Sequence, residues 1–375
     1  MRNGDRVRVL LVSPCFGAYG GVEAFVFAVA DAVGRDPRFE VRVCFKRVAH
    51  FALQPALEKY CQAAHVEFCD RASRDLWSAI AWADVVHAQN ASPDVAMMAA
   101  LLRKPLALTI HDFLPPAPWL RRLSWQASAR AASARWYNSR SVWSTWEPHG
   151  DLAASARVPT VSRFEPASSG PAARKGFLFV GRLVDSKGVE VLLDAYQRAH
   201  LDPAAWPLTV VGDGPLRAEL EARAARAGLP GVRFLGFVDD GVKAGLLASA
   251  KWLVAPSHAH EGLGLVVLEA RHAGVPCIIA RHGGLPEAGG RDALVCEPRD
   301  VAGLAALLEM TATMSESEYR QRSLRTKAEL ANELVPMSFY SDAYLGLTHR
   351  RRSPLLTGAG SHARRPTLKK RIGRK

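Results

Sequence analysis

Two carboxylates, Glu261 and Glu269, bracket the run Gly262-Leu263-Gly264-Leu265. Gly262 and Gly264 leave backbone N–H groups free to face an anion or a sugar hydroxyl. Glu269, one to two turns into the helix that follows, can accept hydrogen bonds from a diol, as carboxylates do on ribose in dinucleotide sites. The competing reading is two surface acids flanking a glycine turn. Earlier in the chain, Gly181-Arg182-Leu183 and Lys187-Gly188 combine two cations with glycines, a composition suited to gripping a diphosphate. Taken alone, these residues fit a solvated Arg and Lys at a turn equally well. Gly212-Asp213-Gly214-Pro215 supplies a third turn, whose glycines permit close backbone approach and whose proline suits a first helical turn.

Metal chemistry has weaker support. His258, His260 and Glu261 are close in sequence, with His272 and His282 further on, but no paired cysteines and no His pair at helical spacing accompany them. The six cysteines are scattered and read as reduced and mostly buried. No Asp-x-Asp pair follows a strand, so the expectation is no cofactor and no metal. A different signal lies between Trp119 and Trp146: five tryptophans and five arginines without an acid. Trp125, Trp136 and Trp143 are spaced to share one helix face, which suits an anionic membrane interface. The alternative is that they pack into the fold.

These residues need elements to position them. Val7 to Ser13 is a continuous apolar run ending in Pro14 and glycines, as for a buried parallel strand feeding a loop, and Glu23 to Val33 reads as a helix. Strands at Val41 to Phe45, Asp84 to Ala88 and Pro105 to His111 continue a βαβ series. From His149 to Arg174 periodicity lapses into prolines, glycine and small residues, a linker signature. A second series follows. Its strands are Phe177 to Val180, Leu208 to Val211, Val232 to Leu235, Trp252 to Ala255, Val275 to Ala280 and Ala293 to Cys296. Its helices are Gly188 to Ala199, Pro215 to Ala227, Gly264 to His272 and Val301 to Met314. Phe339 to Leu347 reads as a closing helix. Because open parallel sheets bind ligands beyond the carboxyl ends of their strands, the cations and glycines fall where a ligand belongs.

The predicted organisation is a first domain at 1–165, a second at 166–338, a closing helix at 339–348 and a basic tail, disordered for want of apolar residues, at 349–375. The formal charge of +13 is concentrated in that tail, where ten Lys or Arg lie from Arg350 onward without an acid. The body is near neutral, unlike a nucleic-acid enzyme with a basic stripe on its folded part. Pro14 and the polar Glu23 and Asp31 argue against a signal peptide, and no run approaches the roughly 18 apolar residues of a spanning helix. A soluble, cytoplasmic protein is expected, with an anionic membrane surface as a candidate partner. A nicotinamide-dependent dehydrogenase is disfavoured because the turn after the first strand reads Gly17-Ala18-Tyr19-Gly20-Gly21, without Gly-x-Gly-x-x-Gly.

In order along the chain stand Gly20-Gly21-Val22-Glu23, Thr109-Ile110-His111-Asp112, Gly181-Arg182-Leu183 with Lys187-Gly188, Val211-Gly212-Asp213-Gly214-Pro215, Phe234-Leu235-Gly236, Pro256-Ser257, and Glu261 with Glu269. This ordered set resembles the retaining GT-B glycosyltransferases of family 4 over residues 7 to about 347. The resemblance implies an α/β protein of two Rossmann-like domains with parallel sheets facing a central cleft, and a C-terminal helix crossing back to the first domain. The implied function is transfer of a sugar, with retention, from a nucleotide-diphosphate sugar to a sugar or lipid-linked acceptor in cell-surface polysaccharide or glycolipid assembly. Arg182 and Lys187 would neutralise the diphosphate, Glu269 would hold the ribose, and Glu261 with the amides after Gly262 would orient the sugar. His111 would contact the sugar from the first domain, and Gly20 and Gly21 would bring backbone near phosphate or acceptor. A GT-B epimerase or phosphorylase shares this architecture, and a non-enzymatic binder using the basic tail is the remaining alternative.

Overall fold

Apolar runs too uniform for an amphipathic helix produce strands covered on both faces. The computed structural model describes residues 6–48, 51–150, 152–159 and 174–352. In the first domain the strands are β1 (Val7–Cys15), β2 (Phe39–Arg47), β3 (Glu67–Cys69), β4 (Val85–Gln89), β5 (Leu106–Ile110), β6 (Ala134–Tyr137) and β7 (Ser155–Arg157). Its helices are α1 (Gly21–Gly34), α2 (Pro55–Ala63), α3 (Arg74–Trp82), α4 (Pro93–Leu101), α5 (Trp119–Ala131) and α6 (Arg140–Trp146). All pairings in this sheet are parallel, in the order β3-β2-β1-β4-β5-β6-β7.

The second domain repeats the plan with β8 (Lys175–Val180), β9 (Leu208–Val211), β10 (Val232–Gly236), β11 (Ala250–Ala255), β12 (Cys277–Ala280) and β13 (Leu294–Cys296), ordered β10-β9-β8-β11-β12-β13 and parallel throughout. Its helices are α7 (Val189–Arg198), α8 (Arg217–Arg226), α9 (Asp240–Ser249), α10 (Leu265–His272), α11 (Leu285–Gly289), α12 (Val301–Thr313) and α13 (Glu316–Glu333), after which α14 (Ser338–Arg352) returns to the first domain. Two Rossmann-like sheets and a closing helix are therefore present, as expected. The boundary placed at 165/166 and the tail beyond residue 352 lie outside the described residues.

Three expectations need correction. The stretch taken as linker contains β7, which joins the edge of the first sheet through β6. Trp125, Trp136 and Trp143 do not share a helix: α5 ends at Ala131, Trp136 sits in β6 and Trp143 in α6. Their spacing coincides with whole helical turns, but the Ser133 N–H donates to Leu106 O at 2.7 Å and starts β6 beside β5. Trp136 then packs edge-on against Phe339 and Tyr340 of α14. Trp143 stacks on Tyr137 and donates from Nε1 to Glu147 at 2.8 Å. Finally, α9, α11 and α13 arise in segments that carried no helical expectation. All six cysteines are buried and free.

The closing helix is bolted down by a buried histidine. His87 of β4 has Nδ1 2.7 Å from the Tyr344 hydroxyl and Nε2 2.7 Å from Thr109 Oγ1. Burial pushes its pKa down to about 3, against roughly 6.5 for an unfolded histidine. As pH falls below that value, the unfolded chain takes up a proton that the folded chain refuses. The stabilisation is therefore complete above about pH 6.5 and is lost toward pH 3. In urea unfolding, wild type is expected to lose about 2 kcal/mol more than His87→Gln between pH 7 and pH 5. An identical loss in both proteins would contradict this role.

Candidate active site

In each sheet the connection changes direction beside the first strand of that half: β1 lies between β2 and β4, and β8 between β9 and β11. The loops leaving these neighbours diverge, opening a crevice at the carboxyl ends of the strands. The two crevices face each other across one cavity of about 740 Å³, within the roughly 300–1,000 Å³ of small-ligand clefts. From the first domain Gly20, Gly21 and His111 line it. From the second come Gly181, Arg182, Lys187 and Gly212, then Glu261 through Leu265, and Glu269. The residues singled out in the sequence thus converge on one space.

Two helix N-termini open into that space. Gly20 precedes α1, and Gly264 precedes α10 in a left-handed conformation. Neither glycine has a side chain to cover the first N–H groups of its helix, and these carry the positive end of the helix dipole. The Glu23 carboxylate folds back to accept the Gly20 N–H at 3.0 Å, and burial raises its pKa. The two ends nearly touch: a Cβ on Gly21 would lie 3.0 Å from Leu265 Cδ1. Few places in an α/β protein attract anions more strongly than paired helix starts.

Lys187 and Arg182 add full charges. Lys187 ends a short 3₁₀ turn, and its Nζ lies 2.6 Å from Glu261 Oε2, which also accepts from Ser257 Oγ at 2.9 Å. Arg182, at the end of the β8 loop, is exposed toward the cavity, and its charge acts on Glu23 and Asp112. Glu269 is 4% exposed and accepts from Lys243 at 3.1 Å. The helix bearing Glu269 is held from behind by fully buried Arg271, which donates to Ala288 O at 2.7 Å and contacts Glu333 and Glu329 of α13 at 3.1 and 3.2 Å. Turning α10 away from the glutamates would strand the buried Arg271 charge, so α10 has little freedom to turn.

His111 is placed differently from a group reaching into solvent. It is 8% exposed, edge-on to Phe25, with Nε2 2.9 Å from Gln89 Oε1. With the amide oxygen accepting, the ring proton is on Nε2 and Nδ1 remains an acceptor. Burial lowers its pKa to about 4, so at neutral pH it is an uncharged polar wall of the cavity. The following residue, Asp112, also lines the cavity; it accepts from Asn90 Nδ2 at 2.9 Å, and burial raises its pKa.

Several contributors escaped the sequence reading: Asp112, Ser257, Lys243, Asp240 and the tyrosines Tyr19 and Tyr60. Asp112 was visible as the residue after His111, and Ser257 as part of Pro256-Ser257. Tyr19 stood unremarked inside the glycine turn after β1, and the others occupy two helices, α2 and α9, that carried no motif. Of the metal candidates, His258 lies 3.6 Å from Asp185 while His260 lines the cavity; no group of three possible ligands forms among the described residues.

The domains also touch directly. Ser139 Oγ donates to Gly262 O at 2.6 Å, and Glu287 accepts from the Arg140 and Ser141 N–H groups at 2.9 Å each. At Gly262 the two backbones approach closely, since a Cβ there would sit 2.1 Å from His111 O. Gly212 meets a similar demand within the second domain, at φ +128° with Gly181 O in the way of any Cβ. Gly262→Ala is expected to fold but to hold the domains apart, seen as a larger radius of gyration by small-angle X-ray scattering. A value equal to that of wild type would contradict the close approach.

Residues 174–312 match the family model described as Glycosyl transferases group 1. Glycogen synthase of Mycobacterium tuberculosis H37Rv is 40% identical over 156 residues, covering 40% of this chain and 36% of that protein. The D-rhamnosyltransferase WbpZ of Pseudomonas aeruginosa is 44% identical over 108 residues, covering 28% of this chain and 27% of the relative. The chain thus spans about a third of the length of the curated relatives it matches. Among solved structures, Anabaena Alr3699/HepE in complex with UDP and glucose superposes with a TM-score of 0.70 at 18% identity, covering 92% of this chain and 98% of the other. A glycosyltransferase from Rickettsia africae gives a TM-score of 0.73 at 16% identity, covering 92% and 99%. The chain therefore has the GT-B fold, and its second domain carries the glycosyl transferases group 1 pattern across residues 174–312.

Proposed function

We propose that the protein is a glycosyltransferase that moves a sugar, with retention of configuration, from a nucleotide-diphosphate sugar to a sugar or lipid-linked acceptor in polysaccharide or glycolipid assembly. One observation carries the reading: Arg182, Lys187, the start of α10 and Glu269 line a single cavity. That set matches the parts of a nucleoside diphosphate in order. The cations and helix N-terminus suit the pyrophosphate, and Glu269 suits the ribose hydroxyls. The relatives' names, which include glycogen synthase, a D-rhamnosyltransferase and an O-antigen chain mannosyltransferase, support sugar transfer as the chemistry.

In the proposed reaction the bond between the anomeric carbon and the phosphate oxygen breaks as a bond to the acceptor oxygen forms on the same face. The acceptor proton passes to the departing phosphate. The leaving diphosphate gains negative charge, which Arg182, Lys187 and the α10 amides would stabilise without a divalent ion. Glu261, held by Lys187 and Ser257, would orient the sugar, with neutral His111 opposite. Contact between the domains would exclude water that otherwise hydrolyses the donor. The experiment is a thermal-shift panel of UDP, GDP, ADP and their sugars, followed by turnover assays in excess EDTA with the donor that stabilises the protein. Wild type is expected to turn over, and Lys187→Ala to fold but lose about 10²–10³ in rate. Near-normal turnover in that variant would remove Lys187 from the mechanism.

The same proposal includes peripheral attachment at a cytoplasmic membrane face. Its support is α5, where Trp119, Leu120 and Leu123 are 68%, 63% and 49% exposed beside exposed Arg121 and Arg122, while Met97 and Leu101 of neighbouring α4 are also exposed. Apolar residues interleaved with cations suit an anionic lipid surface. No helix among the described residues is long and apolar enough to cross a membrane. Sedimentation with anionic vesicles at low salt is expected to carry wild type down and to lose a Leu120→Ser/Leu123→Ser variant; equal binding of both would contradict a role for α5.

A further inference from the structure

Two thiols of the first domain meet at the edge of its sheet, and neither lines the cavity. β2 and β3 run parallel with Cys44 opposite Glu67, Phe45 opposite Phe68 and Lys46 opposite Cys69. Residues two apart on a strand share a face, so Cys44 and Cys69 point to the same side of the sheet, one diagonal step apart. Both are buried, at 0% and 2% exposure, in one apolar cluster with Leu76 and Ile80 of α3. The Cys44 thiol donates to the Cys69 sulfur. Asp94 holds the two strand ends together: its Oδ1 lies 2.6 Å from Lys46 Nζ, and its Oδ2 accepts the Ala72 N–H at 3.3 Å. The sulfurs are thus kept in contact by polar bonds that neither of them makes.

We propose that Cys44 and Cys69 are a modification site, a dithiol that a hydroperoxide closes to a disulfide across β2 and β3. The six cysteines are not equivalent. Burial pushes the Cys61 and Cys277 thiols up to about 12 and the Cys296 thiol up to about 11, and it raises Cys15 as well. Cys69 moves the other way, because the Cys44 S–H donates to it and the Arg47 guanidinium also favours its thiolate. The thiolate is the nucleophile. It attacks one peroxide oxygen; the O–O bond breaks, hydroxide leaves and Cys69 becomes a sulfenic acid. The Cys44 sulfur then attacks the Cys69 sulfur, the S–O bond breaks and water departs with the Cys44 proton. Two thiols lose two electrons and two protons, and the peroxide becomes two waters. Diagonal neighbours have Cα atoms about 7–8 Å apart, against about 4.4–6.8 Å across a disulfide, so β3 must shift by about 1 Å as the bond forms. It has that freedom, because it is three residues long and pairs with β2 alone. Local opening of such an edge also admits the peroxide.

The test treats the reduced, folded full-length protein with hydrogen peroxide, blocks the remaining thiols with N-ethylmaleimide in urea and maps the digest by mass spectrometry. The peptides carrying residues 44 and 69 are expected to appear joined within one chain, two hydrogens lighter than the reduced pair and separable by dithiothreitol. Cys15, Cys61, Cys277 and Cys296 are expected to be recovered blocked. In Cys44→Ser, Cys69 is expected to stall as a sulfenic acid that dimedone traps, and in Cys69→Ser, Cys44 is expected to stay reduced. Should a serine variant fail to fold, the wild-type map decides alone. Recovery of Cys44 and Cys69 both blocked, a link formed only when peroxide is added in urea, or Cys69 oxidised further without the link would overturn the proposal. Each outcome leaves the transferase reading untouched.

Discussion

The structure depends on bringing like-signed poles together. Two helix N-termini, Arg182 and Lys187 meet in one cavity, an arrangement that electrostatics resists unless something negative shares the space. In the free protein, carboxylates fill part of that need: Glu261 pairs with Lys187, Glu23 covers the Gly20 amide, and Glu269 holds Lys243. In the proposed reaction a diphosphate would supply the remainder. At the reduced effective dielectric of a walled cleft, charges a few ångströms apart interact several times more strongly than in water. A site built this way would favour an anion over a neutral sugar under the proposed reading.

The fold makes this convergence possible because each half-site belongs to a different sheet. Doubly wound sheets deliver their loops to one edge, and facing two such edges across a cleft doubles the set of amides and side chains available. The arrangement has a mechanical requirement: the domains must approach closely. Gly262 against the His111 carbonyl, Ser139 on Gly262 O, and Glu287 on the start of α6 secure one side of the cleft. The tyrosine pair on Asp240 secures another. Meanwhile α14, pinned through Tyr344 on His87, ties the end of the described chain to the first domain.

What the sequence made legible follows from locality. Residues at strand ends, such as Arg182, Gly212 and Glu261, were readable because a parallel sheet forces its carboxyl-end loops toward the ligand wherever the strands lie in the chain. Glu269 was readable because it sits a fixed number of residues into a helix opened by Gly264. Lys243 and Asp240 were not. Glycines at 241 and 245 weaken the helical pattern of α9, and nothing local links Asp240 to tyrosines 180 and 221 residues away. Trp136 misled for a related reason: spacing close to whole helical turns is also produced by a helix, a turn and a strand in succession. Long-range partners and broken periodicity are where reading along the chain loses to tertiary packing.

The central claim is that a single nucleoside diphosphate spans Arg182, Lys187 and Glu269. Its most direct measurement is a crystal structure of the wild-type protein soaked with the nucleoside diphosphate that gives the largest thermal shift. The account requires the pyrophosphate to lie against Arg182, Lys187 and the first amides of α10, with the ribose hydroxyls on the Glu269 carboxylate. A nucleotide bound outside this cavity, or inside it with its ribose turned away from Glu269, would contradict the account.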